Sequence, residues 1–159
     1  REVEKQYFAL VVGELELDRD VVRAPIGPHP GQREKMAIRA EGKQTRDAET
    51  AYTVLARYRG FAAVEARPKT GRTHQIRLHL AHIGCPVLCD RLYGGRRRLM
   101  LSGLAANVDE DRGLLDRQAP HAARLTLRHP ISDERLEFSA PLPADLAATQ
   151  EALATLRSR

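Results

Sequence analysis

Alternation of apolar and polar residues along several short segments constrains the fold of this chain more than any other feature. Between His121 and Arg128, apolar residues alternate with polar ones, and Arg135 to Ser139 repeats the pattern after a turn at residues 132–134. Successive side chains of a β-strand point to opposite faces, so a period of two predicts a half-buried hairpin over these two segments.

Other segments also have strand-like composition. Tyr7–Val12 is rich in aromatic and branched residues and ends at Gly13. Glu14–Asp18 then alternates as a partner strand would, so we predict a first hairpin here. Further strands are predicted at Met36–Arg39, Thr50–Arg57 and Phe61–Ala66. Gly95–Gln118 shows no sustained period and is predicted to be a loop with one short strand near residues 99–101.

Two segments predict helices. The first lies between Gly71 and Gly84, with Thr73 as its predicted N-cap. The second opens at Pro143 and runs to about Leu156, with acidic residues in its early turns. Antiparallel strands with a few flanking helices give an α+β class, with a mixed, mostly antiparallel sheet.

Charge and length are compatible with a domain that binds RNA. The 159 residues are enough for one domain with a core, and the net charge of +5 comes mainly from arginine. Arginine forks onto phosphates and stacks on bases, although a GC-rich genome would produce the same bias. No stretch of the sequence resembles a secretory signal or a membrane span, so we expect a cytoplasmic protein without a membrane partner.

The start of the first predicted helix carries the candidate binding residues. The first turn of a helix has unpaired N–H groups, so Arg72, Thr73, His74 and Gln75 could meet a phosphate or a base edge. Arg77, one turn further on, would flank the same pocket. Taken alone, this segment is better interpreted as an ordinary amphipathic helix with solvated polar residues.

A family resemblance changes that interpretation. The run TGRTHQIRLHLAHIGCPVLCDRLYGG, residues 70–95, resembles the most characteristic motif of the RluA/RluD-like pseudouridine synthases, which isomerise selected uridines in ribosomal and transfer RNA. Three more segments match in the family's order, namely Lys5-x-Tyr7-x-Ala9, residues 24–43 and residues 117–143. Four motifs in the same order are difficult to explain by chance.

The resemblance implies roles for particular residues. Tyr7 matches the family's active-site tyrosine, and Arg77 matches an arginine beside the nucleophilic aspartate. Arg72, Thr73, His74 and Gln75 become candidates for contacts with RNA or the pocket. The implied partner is structured RNA, with ribosomal favoured over transfer RNA. No cofactor or metal is expected, because the isomerisation needs no redox or group donor.

The aspartate motif of the family has no match in residues 1–159. We therefore expect these residues to be the C-terminal portion of a single catalytic domain, inactive alone, with Arg77 unpaired or met by water or an anion. Pro28, Cys89 and Pro120 depart from the family pattern. Pro120 could reshape a pocket wall because proline lacks a backbone donor.

Several alternatives remain open at this point. Tyr7 could be a packing tyrosine, and Arg96, Arg97 and Arg98 could form either a phosphate-binding patch or a solvated loop. The chain could also be a noncatalytic RNA-binding module of the same fold. A zinc site is a further alternative, using residues from the set His74, His79, His82, Cys85, Cys89 and Asp90, but their spacing is unsuited to it.

Overall fold

The computed structural model describes residues 3–159, which form an α+β fold around one main sheet. The strands are β1 (Val3–Val12), β2 (Arg19–Arg23), β3 (Ile26–Pro28), β4 (Met36–Ile38), β5 (Glu49–Tyr58), β6 (Phe61–Pro68), β7 (Leu99–Met100), β8 (Gly113–Leu115), β9 (Pro120–Arg128) and β10 (Arg135–Ser139). The helices are α1 (Gln75–His82) and α2 (Ala144–Leu156). The main sheet has six strands in the order β10-β9-β1-β6-β5-β2, and each neighbouring pair is antiparallel.

The middle strands β1 and β6 are buried on both faces. Ala9, Leu10 and Val11 of β1 are inaccessible to solvent, and Ala62 and Ala63 of β6 are equally buried. Small side chains on β6 allow the layers on either face to approach the sheet closely. The core is therefore centred on this strand pair.

The two helices cover opposite faces of the sheet. Thr50 of β5 points towards α1, where its hydroxyl group lies 2.8 Å from Nδ1 of His79. Phe61 of β6 points to the other face and lies under the guanidinium of Arg157, at the end of α2. The face under α1 is the one that carries Tyr7, because Tyr7 pairs with Ala66 and Ala66 pairs with Tyr52, two residues beyond Thr50.

The predicted partner strand of β1 was wrong. Glu14–Asp18 forms no strand, and β1 pairs instead with β6 on one side and β9 on the other. Most of Glu14–Asp18 is exposed, and only Leu15 reaches the core. The next strand, β2, begins at Arg19 and pairs with β5. The alternation in Glu14–Asp18 therefore reflects one buried leucine among acidic residues.

The segment predicted as a loop contains more structure than expected. The predicted strand near residues 99–101 is β7, which is followed by a short 3-10 helix at Leu101–Gly103. The chain then returns as β8, which pairs with β7. Leu114 and Leu115 of β8 are buried, and the hydroxyl oxygen of Thr149 in α2 lies 3.3 Å from the Leu114 carbonyl oxygen and 2.7 Å from that of Asp145. This small sheet thereby anchors α2.

Other predictions of secondary structure are confirmed. The segments Thr50–Arg57 and Phe61–Ala66 correspond to β5 and β6, and the hairpin near residues 121–139 is β9 with β10. Helix α2 begins directly after Pro143. No helix within residues 3–159 is long and apolar enough to cross a membrane.

Candidate active site

Tyr7 and Arg77 line the same open cavity, as the resemblance implied. The cavity has a volume of about 230 Å³ and lies between the middle of β1 and the start of α1. Its lining residues are Lys5, Tyr7, Pro68, Thr70, Gly71, Arg72, His74, Gln75, Ile76, Arg77 and Pro120. A tyrosine and an arginine therefore border one space that is large enough to admit a ligand.

Small neighbours leave the Tyr7 ring accessible. Tyr7 pairs with Ala66 of β6 on one side and with Ala122 of β9 on the other, and the pairing with β9 is irregular between Gln6 and Tyr7. Alanines on both sides place no bulk against the ring, which is half-buried. Pro120 forms part of the cavity wall, so this departure from the family pattern lies at the site itself.

The start of α1 differs from the predicted N-cap. His74, not Thr73, precedes the first helical residue, and its backbone has left-handed torsion angles with φ of 55°. No side chain caps the helix. Gln75 fixes the preceding loop instead, because its Oε1 accepts a hydrogen bond from the Arg72 amide at 3.0 Å and one from the Thr70 hydroxyl at 2.7 Å.

Gln75 lies in the core, where its amide group is fully used. Its side-chain nitrogen donates to the Glu49 carbonyl oxygen and to the Thr50 hydroxyl oxygen, both at 2.9 Å. Only 4% of Gln75 is exposed. The structure therefore places this predicted RNA-binding residue where it joins the loop of residues 70–72 to the start of β5.

A directed chain of hydrogen bonds continues from Gln75 through the core. The Thr50 hydroxyl accepts from Gln75 and donates to Nδ1 of His79, while Nε2–H of His79 donates to the Ala24 carbonyl oxygen at 2.9 Å. This arrangement requires neutral His79 with its proton on Nε2. Burial lowers the pKa of His79 below its usual value, which agrees with a neutral ring.

The expectation that Arg77 is unpaired was wrong. Its Nε and Nη2 donate to Oδ2 and Oδ1 of Asp90 at 2.6 and 2.9 Å, in a bidentate ion pair. Burial of Asp90 is the largest single influence and acts to raise the pKa of its carboxyl group, but the hydrogen bonds and charge of Arg77, together with the backbone amides of Tyr93 and Leu92, outweigh it and hold that pKa below its usual value. Asp90 was considered from the sequence only as a possible zinc ligand, and its pairing with Arg77 was not predicted.

Tyr93 joins this ion pair to other parts of the site. Its ring lies 5.1 Å from the Arg77 guanidinium carbon, and its hydroxyl accepts a hydrogen bond from the Met36 amide at 2.9 Å. The same hydroxyl lies 2.9 Å from Nδ1 of His74. Burial, followed by the charge of Arg77, lowers the pKa of His74, which favours a neutral ring. In the tautomer with the proton on Nε2, Nδ1 accepts from the tyrosine hydroxyl.

The remaining predicted residues lie in different places. Arg72 borders the cavity and donates from Nε to the Asp47 carbonyl oxygen at 2.9 Å, whereas Thr73 is exposed and is not among the lining residues. Arg96, Arg97 and Arg98 are exposed and lie outside this cavity. Arg97 borders a separate cavity of about 570 Å³ that also touches His74 and Arg77. Lys5 and Thr70 also line the first cavity, and neither was predicted to be a site residue.

The geometry does not support the zinc alternative. Both ring nitrogens of His79 bond to protein groups, and Cys85 and Cys89 are buried free thiols. Burial raises the pKa of Cys89 to about 11, which disfavours the thiolate that zinc requires. Within the part of the chain that the structure describes, no three His, Cys, Asp or Glu side chains are grouped so that they could hold a metal ion.

Comparison with known proteins identifies relatives along nearly the whole chain. A ribosomal large subunit pseudouridine synthase D from Xanthomonas campestris pv. campestris is 46% identical over 153 residues, which are 96% of this chain and 45% of that protein. The protein of the same name from Escherichia coli K12 is 39% identical, with the same two coverages. The chain spans less than half the length of these curated relatives.

Solved structures give the same result for the fold. Human RNA Pseudouridylate Synthase Domain Containing 1 has a TM-score of 0.68 and 27% identity, covering 92% of this chain and 58% of that one. Human RNA Pseudouridylate Synthase Domain Containing 4 has a TM-score of 0.71 at 24% identity, which shows the fold alone. The family model described as RNA pseudouridylate synthase matches residues 1–82, more than half of the sequence, and the chain therefore belongs to that family.

Proposed function

We propose that this chain forms part of an RNA pseudouridine synthase that acts on large-subunit ribosomal RNA. The observation that carries the proposal is the placement of Tyr7 and Arg77 on one cavity, with the residues of the family's motif around it. The names of the curated relatives support ribosomal over transfer RNA. Their bacterial origin supports the cytoplasm as the place of action.

The reaction is an isomerisation whose atoms balance without a second substrate. The bond from C1′ of the ribose to N1 of uracil breaks, the base turns, and C1′ bonds to C5. The proton on C5 leaves and N1 gains one, so no redox cofactor takes part. The enzyme must withdraw the uridine from its stack and retain the detached base.

Tyr7 has the position and chemistry to hold the base. Its ring borders the cavity between two alanines, where a uracil could stack on it. The phenol could also accept the proton that leaves C5. General acid–base catalysis of this kind typically increases a rate by about 10²- to 10⁴-fold. The aromatic face and the hydroxyl group therefore have separable roles.

Arg77 supplies positive charge where the family places its nucleophilic carboxylate. A guanidinium beside a buried aspartate favours the ionised form, which is the form able to attack C1′. We take that aspartate to come from outside residues 1–159, with this chain as the C-terminal portion of one catalytic domain. On this basis residues 1–159 alone catalyse no isomerisation.

The cavity rim suits an RNA backbone. Lys5, which is exposed, and Arg72, which is half-buried, both line the cavity, so it carries two positively charged residues besides Arg77. Phosphate contacts of this kind supply most of the affinity for RNA and depend on salt. Arg96, Arg97 and Arg98 would extend the contact to a more distant part of the substrate.

A test of this function uses the full protein encoded by the gene that carries this sequence. Unmodified large-subunit ribosomal RNA and transfer RNA are incubated with it separately, and pseudouridine is mapped by chemical labelling. We expect one or a few modified uridines in the ribosomal RNA. Tyr7→Ala and Arg77→Ala should each reduce the rate at least about 100-fold, while Arg128→Ala, an exposed arginine at the far end of β9, serves as the matched control.

Each outcome of this test has a defined meaning. Binding of ribosomal RNA without pseudouridine formation would favour the noncatalytic RNA-binding module, for which the unmatched aspartate motif is the supporting observation. Modification confined to transfer RNA would contradict the proposed substrate class. Rates for Tyr7→Ala and Arg77→Ala equal to that of the wild type would contradict the assigned roles.

A further inference from the structure

We propose that Asp90 is a positioning residue for this reaction, which holds the Arg77 guanidinium in the orientation that the cavity requires. The inference rests on the proposed function and extends it to a residue beyond the cavity lining. Asp90 does not border the cavity itself and would act through Arg77.

Asp90 is built to hold a guanidinium rigidly. Its side chain is fully buried, and its two oxygens accept from Nε and Nη2 of Arg77 at 2.6 and 2.9 Å. Bidentate pairing fixes the plane of the guanidinium as well as its position. Oδ1 also accepts from the backbone amides of Leu92 and Tyr93 at 3.0 and 3.3 Å, so the carboxylate is itself fixed by the following turn.

A second contact restrains the face of the same guanidinium. The Tyr93 ring lies 5.1 Å from the guanidinium carbon, a distance suited to a cation–π contact. The ring is held in turn by its hydroxyl group, which bonds the Met36 amide and His74. Arg77 is thus restrained at one edge by Asp90 and on one face by Tyr93.

These contacts leave part of Arg77 available. Nη1 has no hydrogen-bond partner within residues 3–159, 12% of the side chain is exposed, and Arg77 is among the residues that line the cavity. Asp90 therefore occupies the edge of the guanidinium formed by Nε and Nη2 and leaves Nη1 free to donate to another acceptor. An unpaired arginine side chain is long and samples many rotamers, and the ion pair with Asp90 removes that freedom before substrate binds.

The alternative is that Asp90 only stabilises the turn at residues 90–94. A double-mutant cycle in the full protein separates the two roles, because a positioning residue has no effect once the group that it positions is gone. The rate of pseudouridine formation is measured in single turnover at saturating ribosomal RNA. The RNA dissociation constant and the melting temperature are measured for each variant.

We expect Asp90→Asn to lower the single-turnover rate by about tenfold or more while changing the RNA dissociation constant less than about twofold. In the Arg77→Ala background, the same substitution should change the rate by less than about twofold. Asp145→Asn is the matched control, since Asp145 accepts a bidentate pair from Arg117 on the protein surface. This control should leave the rate unchanged.

A second variant covers the case in which Asp90→Asn does not fold. Tyr93→Leu removes the ring under Arg77 and leaves the ion pair, and its rate loss should likewise disappear in the Arg77→Ala background. Equal losses in both backgrounds, or no loss in either, would overturn the inference and leave the proposed function intact. A wild-type protein that forms no pseudouridine would overturn both.

Discussion

Gln75→Leu tests how the loop beside the cavity is held. Leucine has a similar volume and suits the buried position, but it makes none of the four hydrogen bonds of the Gln75 amide. The bonds to the Arg72 amide and the Thr70 hydroxyl hold the loop, and those to Glu49 and Thr50 hold the sheet. The substitution therefore separates the loop from β5 without creating a large cavity.

The expected cost follows from what each partner retains. Glu49 keeps the hydrogen bond from the Lys69 amide, and Thr50 keeps His79. Arg72 and Thr70 are half-buried and can recruit water. At about 0.5–1.5 kcal/mol for each lost bond, partly offset by these replacements, we expect unfolding to become easier by about 2 to 3 kcal/mol. This corresponds to a melting temperature lower by roughly 4 to 12 °C for a protein of this size.

Gln75→Glu sharpens the test, because it changes only one group. The new oxygen would replace the nitrogen that lies 2.9 Å from both the Glu49 carbonyl oxygen and the Thr50 hydroxyl. A buried carboxylate facing a carbonyl oxygen is repelled, so this variant should be less stable than Gln75→Leu at pH 7. The introduced carboxyl would have a pKa raised above its unfolded value. The loss of stability caused by Gln75→Glu should therefore be smallest below about pH 4.3 and should increase as the pH rises above that value.

The assay combines urea unfolding with hydrogen exchange at the Arg72 amide. Gln118→Leu, at an exposed glutamine, is the control and should change stability by less than about 0.5 kcal/mol. A Gln75→Leu protein as stable as the wild type, with the Arg72 amide still protected, would refute the reasoning that Gln75 fastens this loop.

Three further predictions concern titration, thiols and salt. Burial lowers the pKa of His79, so the unfolded chain takes up a proton that the folded chain does not. The contribution of His79 to the free energy of unfolding should be fully present above about pH 6.5 and should decrease below it, by up to about 1.4 kcal/mol per pH unit. Urea unfolding at several pH values should show a weaker pH dependence for His79→Gln than for the wild type. An unchanged dependence would exclude His79 as its cause. Burial raises the pKa of Cys89 to about 11 and also raises that of Cys85. An aromatic disulfide reagent at pH 8 should therefore react with the two thiols only after the protein unfolds. Rapid reaction of the native protein would contradict this. Replacing Arg96, Arg97 and Arg98 with glutamine should reduce the slope of log affinity for RNA against log salt by about 2 to 3, while an unchanged slope would place them in a solvated loop.

Alternation predicted which segments are strands better than it predicted how they pair. The hairpin of β9 and β10 has its two strands close in sequence, so the pattern and the turn together were sufficient. The partners of β1 are β6 and β9, which follow it by about 50 residues or more. A period of two fixes the face that a side chain takes and gives no information on a distant partner.

At the candidate site, too, the sequence identified individual residues better than it identified their partners. Tyr7 and Arg77 were placed together through the family resemblance, and the structure brings them to one cavity. Gln75 was assigned to contacts with RNA or the pocket, and its hydrogen bonds to β5 in the core were not predicted. Asp90 was missed as the partner of Arg77 because the two are 13 residues apart and meet only through the turn that follows α1.

Photo-cross-linking tests the central claim, that one uridine contacts both Tyr7 and Arg77. The full protein is bound to ribosomal RNA carrying photoreactive 4-thiouridine at the target position, irradiated and digested, and cross-linked peptides are identified by mass spectrometry. We expect cross-links to the peptide containing Tyr7 and to the peptide spanning residues 72–77. Cross-links confined to other surfaces, such as residues 96–98, would contradict it.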